Sequence, residues 1–293
     1  MKTYTNCPIC DEKKFSSFIQ CKDNTGSTDS FNIDKCRGCY FAFTNPIPLQ
    51  NNLGKYYESQ DYISHSNTRK GLVNFLYQKV RNYTLDRKVA LLQKLSDGKN
   101  LLDIGSGTGE FLGRSQKAQF QVTGIEPSAT GRDQTKDNFG ISVNDEQHLT
   151  DIESGKFDFI TMWHVLEHVY DLNERVAELQ RLIKKDGHII IAVPNLTSFD
   201  AAKYKKHWAA YDLPRHLYHF SPNDISSLME KHAMKVTQVL PMIFDSFYVS
   251  MLSEKYKTGT TNLFSSFVAG LHSNIHGISR QRCSSQIYII KNA

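Results

Sequence analysis

Hydrophobic positions along the 293-residue chain follow two different periods. Between Gly71 and Leu95, Leu72, Phe75, Leu76, Val80, Tyr83, Leu85, Val89, Leu92 and Leu95 recur at helical spacing. They predict an amphipathic helix, broken near Thr84, that Ser96-Asp97-Gly98 stops. Beyond it, short apolar runs at Asn100–Ile104, Gln121–Ile125, Ile141–Val143, Phe157–Met162, His188–Val193, Val236–Leu240 and Gln286–Ile290 predict strands. Helical stretches lie between them, clearest at Leu172–Lys184 and Pro222–His232. This alternation predicts an α/β fold with a mostly parallel seven-stranded sheet covered by helices on both faces. Phe244–Ser285 has no readable period. Three units are expected: a small module at residues 1–50, a tyrosine-rich helical connector and lid at 51–95, and the α/β domain at 96–293.

Composition narrows the classes. A hydrophobic share of 40% with only 8 Pro and 17 Gly excludes long disordered tracts. No apolar run approaches the ~18–20 residues of a membrane span, so no membrane partner is expected. The start, Met1-Lys2-Thr3-Tyr4-Thr5-Asn6-Cys7, carries no apolar signal segment, and residence in the cytoplasm is expected. Thiols stay reduced there, which makes paired cysteines metal ligands before disulfides. Cys7-Pro8-Ile9-Cys10 and Cys36-Arg37-Gly38-Cys39 each read C-x2-C. Two tight knuckles of this kind present four thiolates to one tetrahedral ion, the pattern of a structural zinc site. Cys21 is an alternative fourth ligand. Unligated thiols are the plain alternative.

The segment Leu101-Leu102-Asp103-Ile104-Gly105-Ser106-Gly107-Thr108-Gly109-Glu110 runs from an apolar strand through a glycine turn into a helix. Such turns bring backbone N–H groups against a ligand. The glycines at 105, 107 and 109 read G-x-G-x-G, whereas the dinucleotide fingerprint needs a glycine where Glu110 stands. Asp103 at the mouth would repel a pyrophosphate but favour the ammonium and sulfonium of S-adenosylmethionine. Glu126 ends the next strand, where a carboxylate can accept ribose hydroxyl hydrogens.

These residues resemble the class I S-adenosylmethionine-dependent methyltransferases, whose fold is Rossmann-like. The similarity continues through Phe157–Val169 with its Leu166-Glu167-His168-Val169, a segment similar to the ubiquinone-biosynthesis O-methyltransferases. The cysteine pairs, Tyr56-Tyr57, Tyr62, His65 and Pro214-Arg215-His216-Leu217-Tyr218-His219-Phe220-Ser221-Pro222 resemble a bacterial subgroup with an N-terminal zinc ribbon. The resemblance implies that Asp103, Gly105 and Gly107, in the turn that Ser106 and Gly109 complete, contact the methionine part, and Glu126 the ribose. Asp145 or Glu146 would lie near adenine, Trp163 and His164 under the methionine chain, and Tyr56, Tyr57 and Tyr62 in a lid.

A sulfonium methyl needs little beyond an aligned nucleophile, and for a hydroxyl acceptor a base near neutral pH. His216 is the preferred base, with His219 and His164 as further candidates and Arg215 as an anion clamp. His164, Glu167 and His168 at i, i+3, i+4 can orient a base, hold a divalent ion, or simply tie down their segment. A small-molecule acceptor, methylated on oxygen, is expected. RNA methylation is the alternative enzyme reading, although the net charge of +5 is mild and scattered. A non-catalytic binding protein that keeps a cofactor pocket is the third.

Overall fold

The computed structural model describes residues 1–27, 29–57, 72–278 and 281–293. Tyr62 and His65 lie outside the described residues.

The main sheet is built from β4 (Asn100–Ile104), β5 (Gln121–Ile125), β6 (Phe157–Trp163), β7 (Ile183–Pro194), β9 (Met234–Pro241) and β10 (Ser285–Asn292). Their order is β5-β4-β6-β7-β10-β9. β4 pairs in parallel with β5 and β6, and β6 with β7, whereas β10 runs antiparallel to both its neighbours. Ile141–Val143, predicted as a strand, lines up beside β5 and joins it through one parallel bridge, Ile125 to Asn144. The inner strands are buried almost throughout because helices cover both faces. The chain leaves β4 towards β5 on one side and returns as β6 on the other. The crevice at the carboxyl ends of β4 and β6 is therefore where a ligand fits this topology.

Helix α1 (Leu72–Leu95) continues unbroken past Thr84, whose hydroxyl donates to the Arg81 carbonyl. α2 (Glu110–Lys117) follows the glycine turn and α3 (Ala129–Phe139) follows β5. α4 (Leu172–Leu182) stops short of the predicted Lys184, because Ile183 already pairs with Phe157 and begins β7. After α5 (Phe199–Tyr204) and α6 (Pro222–Lys231), the unpatterned stretch forms α7 (Asp245–Thr258) and α8 (Leu263–Ile278).

A second sheet contains β1 (Phe15–Lys22), β2 (Ser30–Cys36), β3 (Ala42–Thr44) and the two-residue β8 (Tyr218–His219), in that order. β8 comes from the far side of the sequence, so the small sheet is completed by the large unit. The ring of Phe41 stacks on Tyr218 at 6.0 Å and lies 5.5 Å from Phe220. One apolar core runs through both sheets.

Candidate active site

The glycine turn takes its shape from main-chain bonds. Gly105 and Ser106 both donate N–H to the Ile125 carbonyl, at 2.7 and 3.1 Å. Gly105 has φ +73°, and a side chain there would meet Val165 at 2.4 Å. Gly107 has φ +57° with nothing within 4 Å of where a Cβ would stand, so its face of the turn is open to a ligand. Glu126 takes the N–H of Gly107 and of Ser128, each at 2.8 Å. Main-chain donors thus hold this carboxylate at the end of β5, although burial raises its pKa. The Asn144 carbonyl accepts from the Glu126 N–H, which brings Asp145 close by. Asp145 itself accepts from Gln147 N–H, and Glu146 pairs with Arg175.

Asp103 is almost fully buried at the end of β4. Thr161 on β6 donates its hydroxyl to Asp103 Oδ1 at 2.6 Å. Burial pushes the carboxyl up to about 7, opposed by that hydroxyl and by the Lys88 ammonium. Lys88, on α1, sits 4.1 Å from the centre of the Trp163 ring. Its burial lowers its pKa to about 8 against the pull of Asp245 and Asp103. Among the described residues, the buried Ser106 hydroxyl and Trp163 indole N–H have no hydrogen-bond partner. Two orphan donors, an open glycine face and acidic groups fit a polar, cationic ligand such as S-adenosylmethionine.

His164 follows β6 with φ +58°, a backbone state that non-glycine residues adopt rarely. Its Nδ1 lies 3.3 Å from Glu167 and its Nε2 2.8 Å from Asp245. Burial works against charge on this ring, but the two carboxylates prevail and raise its pKa to about 10. His164 is an imidazolium at neutral pH.

The two histidine motifs meet. Leu217 N–H donates to the Glu167 carbonyl at 2.8 Å, and the His168 and His216 rings stand edge to face at 4.5 Å. His216 Nδ1 lies 2.8 Å from the Ala210 carbonyl and His168 Nδ1 3.0 Å from that of Arg215. A carbonyl only accepts, so each Nδ1 carries a hydrogen and donates it, and the Nε2 atoms are the ones left to meet other groups. Tyr57 places its hydroxyl 3.0 Å from the same His168 nitrogen. Burial and the neighbouring His216 lower the pKa of His168 to about 4, so it is neutral. Ligand atoms of Glu167, His168 and His216 lie within 4.8 Å of one another, a group able to take a proton or a divalent ion.

Two other residues of that loop are engaged inside the fold. Arg215, read from the sequence as an anion clamp, is buried and binds Asp212, Asp23 and the Tyr56 carbonyl. It joins the β1–β2 loop to the histidine loop instead of facing a ligand. His219 is buried in β8 with its Nε2 3.2 Å from the Thr44 hydroxyl, which itself donates to the His216 carbonyl. The cysteine knuckles converge as well. Cys7 and Cys39 sulfurs stand 3.5 Å apart, Cys10 and Cys36 3.4 Å apart, and all four thiols share one cluster. A metal with Zn–S bonds of ~2.3 Å needs sulfur separations only slightly wider, roughly 3.8 Å.

Residues 77–239 match the family described as a methyltransferase domain. The chain belongs to that family. It is an S-adenosylmethionine-dependent methyltransferase. A ubiquinone biosynthesis O-methyltransferase of Rickettsia bellii is 22% identical over 237 residues, covering 75% of this methyltransferase and 96% of the relative. The namesake from Actinobacillus pleuropneumoniae is 32% identical over 112 residues, which cover 34% of this chain and 47% of that one. Against that relative this methyltransferase spans about half the length. Among solved structures, the magnesium protoporphyrin IX methyltransferase of Synechocystis with bound S-adenosylhomocysteine superimposes with a TM-score of 0.53. The two are 15% identical over 81% of this chain and 97% of the other, a likeness of fold.

Thr161, Lys88 and Asp245 escaped the sequence reading. Thr161 carried the one available signal, a hydroxyl among apolar residues in a buried strand. Asp245 sits in the stretch without a period, and Lys88 looks like a solvent-facing helix residue.

Proposed function

We propose that this enzyme methylates an oxygen of a small-molecule acceptor, using the crevice above β4 and β6. The observation that carries this reading is the meeting of two imidazole rings and the Glu167 carboxylate in the segment that follows β6. A hydroxyl acceptor must lose a proton as it is methylated, and this cluster accepts protons. The O-methyltransferase relatives support the same chemistry.

Asp103 would hold the positive charge of the cofactor, Gly105, Ser106, Gly107 and Gly109 its methionine part, and Glu126 the ribose. Asp145 fits the adenine side better than Glu146, whose charge is engaged by Arg175. Bound there, S-adenosylmethionine supplies an activated methyl on a sulfonium. His216 would take the acceptor proton at Nε2, with Nδ1 held by the Ala210 carbonyl. Neutral His168 and Tyr57 would position the acceptor. His164, already protonated between two carboxylates, is an anchor in this scheme and not a base. His219 is left out of it because its ring is committed to Thr44. Cys7, Cys10, Cys36 and Cys39 would hold a structural zinc.

Calorimetry with S-adenosylhomocysteine, followed by transfer assays on phenols, amines and single-stranded RNA, tests the reading. Asp103→Asn is expected to weaken cofactor binding about tenfold or more, the loss of one partly buried charge contact. Methyl transfer to amines or RNA with none to hydroxyls overturns the acceptor assignment.

A further inference from the structure

Helix α8 is inverted relative to an ordinary surface helix. The side towards the protein carries Ser266, Ala269, Gly270, Ser273, Asn274 and Gly277, all buried. The side towards solvent carries bulky apolar chains: Phe264 is 79% exposed, Ile275 63%, Leu263 60% and Phe267 56%. Val268, Leu271 and Ile278 extend the same outer face. Side-chain bonds fix this orientation. Ser273 donates to the buried Asp200 at 2.9 Å, and Asn274 donates to the Ile243 carbonyl at 2.8 Å. At Gly270 a side chain would strike Phe247 at 2.7 Å. The helix cannot roll its apolar face inward without breaking these contacts.

The charges that flank the helix in the sequence have one sign. From Lys255 to Ala293 the sequence holds Lys255, Lys257, Arg280, Arg282 and Lys291 and no Asp or Glu. Lys255, Lys257 and Arg282 are exposed at the margins of the helix pair. The nearby acids point inward, Glu254 to Tyr204 and Ser265, and Asp245 to His164.

We propose that α8 lies in the headgroup boundary of an anionic lipid surface, with Phe264, Phe267, Leu271 and Ile275 inserted and the flanking lysines and Arg282 on the headgroups. An apolar stripe with a basic border is the recognition chemistry of such a surface. A symmetric contact with a second copy fits less well, because it would bring one basic border against another without acids to neutralise it. The absence, among the described residues, of a helix able to cross a membrane is no obstacle, since the helix lies on the surface.

Flotation of the full chain with phosphatidylcholine vesicles, with and without phosphatidylglycerol, tests this. The chain is expected to float with the anionic vesicles, and less so without phosphatidylglycerol or in high salt. Phe264→Ser with Phe267→Ser should lower the bound fraction about tenfold or more, while S-adenosylhomocysteine binding by calorimetry stays unchanged. Lys255→Gln with Lys257→Gln should weaken the preference for phosphatidylglycerol. No flotation, equal flotation with both vesicles, or a stable dimer in light scattering that the Phe pair variant splits would overturn it.

Discussion

Asp103 sits where charge costs most, a cost opposed by the Thr161 hydroxyl and the Lys88 ammonium, so in the proposed site its ionisation would be coupled to the cofactor. Its raised pKa means that the folded protein keeps this proton longer than the unfolded chain does. The stability it contributes is present below the unfolded carboxylate range and lost as pH rises through about 7. A cationic ligand prefers the ionised form. Cofactor affinity is therefore expected to increase between about pH 6 and 8, and that dependence should vanish in Asp103→Asn. Calorimetry across pH on both proteins reads it. His216→Ala separates chemistry from binding: kcat should fall roughly 10²–10⁴-fold with cofactor affinity retained. The residue types at 103, 105, 107 and 126 were legible in the sequence because their chemistry is local to one strand and one turn. Thr161, Lys88 and Asp245 were not, because each reaches the site from a distant element whose packing no local pattern records.

At the level of elements, the parallel strands were legible because both faces are buried and their apolar runs are nearly continuous. α7 and α8 were not. They bury Ser246, Ser250, Ser253, Ser266 and Ser273 where an ordinary helix buries an apolar stripe, so their inward face carries no apolar period. The small sheet poses the opposite case, since its cysteine spacing announced a cluster while its fourth strand lay far ahead in the sequence. Removing one of the four thiols should abolish the zinc binding proposed for this cluster. Cys36→Ser is expected to abolish stoichiometric zinc by elemental analysis and to lower the thermal midpoint, with loss concentrated in β1–β3 by hydrogen exchange.

Across the whole molecule, Arg215 ties the two sheets together. Its guanidinium is enclosed between Asp23, from the β1–β2 loop, and Asp212, ahead of the histidine loop. Truncating one partner of such a buried group leaves uncompensated charge and costs about 3–5 kcal/mol. Arg215→Met should therefore lower the unfolding free energy measured by chemical denaturation by that amount, and slow turnover by freeing the loop that carries His216.

Because Tyr218 and His219 supply the outer strand of the cysteine-bearing sheet, the amino-terminal segment is not a detachable ornament. A shortened polypeptide beginning near residue 50 would leave that two-residue ribbon without its hydrogen-bonding mate and would bare Tyr218 and Phe220 to water. Such a fragment should clump on expression even though every glycine and acid of the nucleotide crevice is still encoded. Attempts to borrow the catalytic half alone, or to graft the cysteine knuckles elsewhere, must carry this shared seam along.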